Sequence, residues 1–157
     1  MDLTPRTHSD SIDIAATPQE VYAVVSDVTR TGEWSPTCRE CRWEEGDGPR
    51  VGASFIGRNE TPDRTWETRS EVVAAEPGSE FAWMVGKGFV RWSFAMRPTQ
   101  GGGTELTQSW EFTSAGLTFF ETTFGEGAAR AAEDRTKAAH HDIPATLAAI
   151  KRILEGE

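Results

Sequence analysis

Histidine and cysteine, the residues most often recruited for proton transfer, metal binding and nucleophilic attack, are scarce here: three and two among 157 residues. His140 is the best candidate acid or base. It lies in a segment where Ala129, Ala132, Thr136, His140, Ile143, Leu147, Ile150 and Leu154 fall on one stripe at about 100° per residue, the period of a helix face. An imidazole on such a face could exchange a proton with a bound molecule. Pro144 has no N–H to give back to the His140 carbonyl, so a kink is expected there and the free carbonyl could hold a ligand or water. The alternative is a half-buried His140 hydrogen-bonded to a neighbour. His141 points about 100° away, toward solvent. His8 and Asp10 share a strand face with Ile12 and Ile14 but sit near the strand end, where exposure is expected.

Cys38 and Cys41 form a lone C-x-x-C. A structural zinc site needs four ligands, and no second pair lies at a suitable spacing, so no metal is expected. In a regular strand, residues three apart face opposite sides, which argues against a disulfide and predicts two free thiols. No nucleophile elbow, Walker motif or dinucleotide fingerprint is present, and Gly101–Gly103 reads as a hairpin turn. No cofactor is expected.

The remaining chemistry is that of binding, and it emerges from strand parity, since alternate side chains face one side of a sheet. Val90, Trp92, Phe94 and Met96 form one row; Leu106, Gln108, Trp110 and Phe112 form a second. Trp66, Thr68, Ser70 and Val72 form a third, Phe81, Trp83 and Val85 a fourth, and Phe55 is in register with Asn59. The inward face is therefore mostly Trp and Phe, with Asn59, Thr68, Ser70 and Gln108 among them. Two readings stay open: an aromatic core with local hydrogen bonds, or a cavity in which those uncharged groups orient a small molecule. Buried amides and hydroxyls are costly unless paired, which favours a wet or ligand-filled interior. No Arg or Lys is assigned to the inward rows, which points to a neutral or weakly polar ligand.

These rows must be held by definite elements. Residues 9 to 14 alternate as a strand, and Val21, Val24, Val25 and Val28 follow at helical spacing. Thr17, Pro18 and Glu20 supply a capping box with proline at the first helical position. Gly32 and Pro36 allow only a short second helical turn. Six runs of period two follow, near 38–44, 52–59, 64–76, 80–85, 89–97 and 104–113, separated by the turns EGDGP, NETPD, EPGS, GKG and PTQGGG. From about Thr118 to Leu154 the pattern is helical, with Gly125 and Gly127 expected to loosen or delay the start. The order is strand, two short helices, six strands and one long helix, whose apolar stripe must cover the sheet. Phe119, Phe120 and Phe124, with the GKG turn at 86–88, could form a lid or a simple seal. No repeat or linker divides residues 1–157, so one domain is expected.

Composition excludes several classes. Sixteen basic against 25 acidic residues give a net charge of −9, and the basic residues are scattered, so neither nucleic acid nor an anionic membrane surface is an expected partner. No apolar stretch approaches the roughly 20 residues of a membrane-spanning helix, and the start MDLTPRTHSD lacks the character of a signal peptide. The expectation is a cytoplasmic protein without stable membrane insertion. No segment indicates an oligomeric state.

The segment SIDIAATPQEVYAVVSDVTRTGEWSP, the Gly-Pro-Arg-Val-Gly turn before Phe55 and the Arg58-Asn59 pair, the turn into GTELTQSWEF, and the terminal TLAAIKRILEG resemble the polyketide cyclase/dehydrase and lipid-transport superfamily, the START-like, birch-pollen-allergen-like group called SRPBCC. The resemblance implies an α+β helix-grip fold, a seven-stranded curved antiparallel sheet wrapped around a long C-terminal helix with two short helices after the first strand. It also implies a hydrophobic ligand such as a lipid or polyketide in a cavity between sheet and helix. Carried onto this sequence, it adds Trp34 at the end of the second helix to Phe55, Asn59 and Trp110. The candidate ligand-binding set is then Trp34, Phe55, Asn59, Trp66, Thr68, Ser70, Trp83, Trp92, Phe94, Gln108, Trp110, Phe120, Phe124, Ile143 and Leu147. Two alternatives follow from the same family: a polyketide cyclase or dehydratase with His140 as acid/base, and a protein-interaction module such as a chaperone co-regulator.

Overall fold

The computed structural model describes residues 1–44 and 48–156. Part of the turn expected over EGDGP, residues 45–47, lies outside them. The chain runs β1 (Arg6–Ile14), α1 (Pro18–Val25), a 3-10 helix (Val28–Glu33), β2 (Cys38–Trp43), β3 (Ser54–Thr61), β4 (Arg64–Glu76), β5 (Glu80–Val85), β6 (Val90–Pro98) and β7 (Thr104–Phe112). It ends with α2 (Ser114–Phe124), a 3-10 turn (Gly125–Gly127) and α3 (Ala128–Glu155). This is the α+β helix-grip fold.

All seven strands form one sheet in the order β1-β7-β6-β5-β4-β3-β2, every pair antiparallel. Strands 2 to 7 form a meander in which each pairs with the next, and β1 closes it by pairing along β7. The α1 start is the capping box read from sequence: Thr17 Oγ1 accepts from the Glu20 N–H at 3.2 Å, and Glu20 Oε1 accepts from the Thr17 N–H at 3.0 Å.

The C-terminal helical region differs from the single helix expected. Thr113 caps α2 earlier, accepting from the Gly116 N–H at 3.0 Å and donating to the Gly88 carbonyl at 2.6 Å. That second bond ties α2 to the β5–β6 turn. Gly116 lets the two approach, because a β-carbon there would collide with the Phe89 carbonyl. The chain then breaks at Gly125, whose positive φ of 54° ends α2. Helix α3 follows and continues past Pro144 to Glu155.

Ile143, Leu147 and Ile150 of α3 join Val21 and Val25 of α1, Phe81, Leu106 and Leu117 in the packed core. Further toward its N-terminus, α3 presents smaller residues to the sheet, and the space between is not filled.

Candidate functional site: an aromatic cavity with a cationic rim

That space is a cavity of about 580 Å³ between the concave face of the sheet, the α1–β2 connection, α2 and α3. Its volume falls in the range of small-molecule sites. Antiparallel register places inward residues of neighbouring strands side by side: Trp83 opposite Trp92, Trp92 opposite Trp110, and Phe81 opposite Phe94. Trp83 is the hub, with ring centroids 6.0 Å from Phe55, 5.6 Å from Phe81, 5.9 Å from Phe94 and 6.5 Å from Trp92. Trp34, Trp66 and Trp110 complete the walls, so five of the six tryptophans line one concavity. The sixth, Trp43, packs edge-on against the Phe55 ring.

Among these rings the sheet sets Asn59, Thr68, Ser70 and Gln108, uncharged polar side chains that are all on the lining. Asn59 Nδ2 donates to Thr68 Oγ1 at 3.2 Å and to the Trp66 carbonyl at 3.4 Å. Gln108 is 6% exposed, and among the described residues its Oε1 has no hydrogen-bond partner. At one end, Phe89 stacks on Phe119 with centroids 4.4 Å apart, and Phe120 contacts both Phe112 and Phe124 edge-on. Phe119, Phe120 and Phe124 all line the cavity.

Helix α3 reaches the cavity through Arg135, Ala138, Ala139, Asp142 and Thr146. Ile143 and Leu147 are not on the lining; they are buried in the core beside it. His140 is not on the lining either. It is exposed and stacks on His8 of β1 with centroids 3.8 Å apart. The stripe used to place it is wider than the cavity, and its flank runs along β1, where Arg6 bonds Thr136 at 3.3 Å and pairs with Glu133 at 3.6 Å. His140 belongs to that polar seam.

The facing argument for the cysteines fails locally. The β2–β3 register shifts between Cys38 and Glu40, so the bulge breaks strict alternation and puts Cys38 Sγ 3.2 Å from Cys41 Sγ. Both thiols are free and both line the cavity. Gly57, opposite on β3, leaves them room: a β-carbon there would sit 3.4 Å from each sulfur. The bond between the thiols holds the Cys41 thiol below the ordinary range and pushes Cys38 above it, with burial adding to the rise.

Sequence reasoning missed the charge at the rim. Arg64 and Arg135 both line the cavity, with guanidinium carbons 4.3 Å and 4.7 Å from the centroid of the Trp66 ring. Arg64 heads the inward row that continues as Trp66, Thr68 and Ser70, and Arg135 is one turn before Ala139. Both signals were present in the spacing.

A curved antiparallel sheet gripping a long helix around an aromatic cavity defines a helix-grip protein. The chain belongs to the polyketide cyclase/dehydrase and lipid transport family, whose model matches residues 6–154. It is similar to the Polyketide_cyc-like protein Cgl2372 from Corynebacterium glutamicum, known from a solution NMR structure: 56% identity over 95% of this chain and 91% of that one, TM-score 0.70. The di-domain ARO/CYC StfQ from the steffimycin biosynthetic pathway shares the fold at TM-score 0.73 and 17% identity, over 98% of this chain and 52% of that one. Ara h 8.0201 shares it at TM-score 0.63 and 12% identity, over 98% and 99%. No curated protein matches the chain.

Proposed function

We propose that this protein binds a small hydrophobic molecule in the cavity between the sheet and α3, as one ligand-binding domain, with the aromatic rows as walls. The observation that carries this reading is the buried, unpartnered Gln108 Oε1 on an otherwise aromatic wall of an unfilled cavity. An unpaired buried acceptor in a folded protein costs about 1–3 kcal/mol, and a ligand hydroxyl or amide offsets that cost by donating to it. Asn59 and Thr68, already bonded to each other, form a second polar point that fixes orientation.

The magnitude suffices without chemistry. A ligand burying about 300 Å² of apolar surface gains roughly 7–8 kcal/mol before association costs, in the range of micromolar binding. No catalytic step is proposed: His140 lies outside the cavity, and the acidic charge balance supports no nucleic-acid partner.

Native mass spectrometry of the gently purified protein, followed by extraction and identification of whatever accompanies it, tests the reading. A one-to-one adduct of a hydrophobic molecule is expected, displaced by an added hydrophobic probe. Absence of an adduct, together with no saturable binding of any hydrophobic probe, would overturn it.

A further inference from the structure

We infer that the ligand carries an anionic group, held at the rim of the cavity by Arg64 and Arg135 over the Trp66 ring. The inference rests on the cavity being a ligand site and adds the chemical class of what enters it: an apolar body with a carboxylate, phosphate, sulfonate or comparable charge at one end.

Three observations converge on this placement. The two guanidinium groups gather over one indole, 4.3 Å and 4.7 Å from its centroid, and among the described residues neither has a carboxylate within 4.0 Å, unlike Arg30, Arg69 and Arg97, whose ion pairs are 3.0 Å or shorter. Asp142 and Glu67 also line the cavity, but the Asp142 carboxylate is occupied by the Thr37 hydroxyl at 2.9 Å and by His141 Nδ1 at 3.0 Å, and Glu67 lies on the strand parity opposite to Trp66. Finally, Arg135 is half-buried, and burial followed by the nearby Arg64 charge lowers its pKa. Asp134 next to it offsets part of this effect, and an anion within reach of both guanidinium groups would offset the rest.

The arrangement also has the geometry of an amphipathic site. Trp66 pairs across the strands with Asn59, so the rim cations and the Asn59–Thr68 polar point are contiguous, while the Trp83 cluster offers the apolar interior. A guanidinium presents a planar fork of donors that matches an oxyanion, and stacking on an indole restricts it in advance.

Two probes with the same ring system separate charge from shape: 1-anilinonaphthalene-8-sulfonate, an anion, and N-phenyl-1-naphthylamine, its neutral counterpart. Fluorescence titration of both is carried out on the wild type, Arg135→Gln, Arg64→Gln and Arg135→Lys, with folding checked by circular dichroism. The expected result is that each Gln variant lowers the ratio of anion to neutral affinity by about tenfold, as loss of one charge-assisted hydrogen bond does, while Arg135→Lys lowers it less. Arg64 is exposed, so its variant remains informative if Arg135→Gln does not fold. A ratio unchanged within about twofold in the Gln variants, with the neutral probe still binding the wild type, overturns the anionic subsite and leaves the cavity reading standing. Failure of both probes to bind the wild type overturns both.

Discussion

Gln108 pairs with Phe94 on β6 and with Asp10 on β1, at a position where a leucine would fill the row without leaving an acceptor unpaired. Replacing a buried, unsatisfied amide by an apolar group of similar shape is neutral or stabilising. Gln108→Leu is therefore expected to raise unfolding stability by about 1 kcal/mol, read from the urea midpoint at constant slope. A loss of stability would show that the amide is satisfied in the empty protein and would remove the main support for the ligand. Residue-scale identity was legible in sequence where parity holds: Trp66, Trp83, Trp92, Trp110 and Gln108 are where two-residue alternation puts them. Cys38 and Cys41 were misread because a single bulge residue reverses facing downstream, and no residue type in CRECRW announces it. Arg64 was missed for a different reason: charged side chains are ordinarily assigned to solvent, and a guanidinium stacked on an indole at a rim satisfies both environments.

Among the elements, α1 shows the tightest link from sequence to structure, since Thr17, Pro18 and Glu20 sit in the positions their chemistry favours. Thr17→Ala is expected to cost about 1 kcal/mol, measured by denaturant unfolding at pH 7. The hydrogen bonds from Thr17 hold the Glu20 carboxyl below its usual range. Its contribution is thus present above the ordinary carboxylate pKa and lost as pH falls through the lowered folded value. Because the Thr17 backbone N–H is the main donor to this carboxylate, Glu20→Gln rather than Thr17→Ala should flatten the acid limb of the stability profile; parallel limbs in Glu20→Gln and the wild type would contradict the coupling. The turns from β3 to β7 were legible to within two residues because Gly, Pro or Asp marks each of them, whereas β1 starts at Arg6, three residues before the alternation read from sequence. The long helix was legible as a stripe but not in its rotation: Ala139 and Asp142 turn to the cavity and His140 to β1, a difference of one residue that periodicity alone does not resolve when apolar and polar seams adjoin. The α2–α3 break turned on Gly125, whose role as a delay was visible but whose positive φ was not.

At the scale of the molecule, a net charge of −9 sets a background unfavourable to anions, against which the rim cations act locally. Because a ligand held in an enclosed cavity binds only the folded state, its affinity appears as stability. At a free concentration 100 times Kd the gain is about 2.7 kcal/mol, which for a chain of this size corresponds to a melting shift of about 5–10 °C. N-phenyl-1-naphthylamine should produce such a shift in a thermal scan. Saturable fluorescence without any shift would place the dye on a surface shared with the unfolded chain. The sheet has two open edges, β1 and β2. The first is flanked by α3, with Lys151 donating to the Asp13 carbonyl at 2.7 Å and the Ala15 N–H donating to Glu155 at 2.9 Å. The second carries the bulge that joins the two thiols, together with the exposed charges of Arg39, Glu40 and Arg42. An edge that is both charged and out of regular register offers no continuous ladder for an incoming strand. The irregularity that opens the cavity to two sulfurs also keeps the outer rim of the sheet from growing by strand addition into an aggregate.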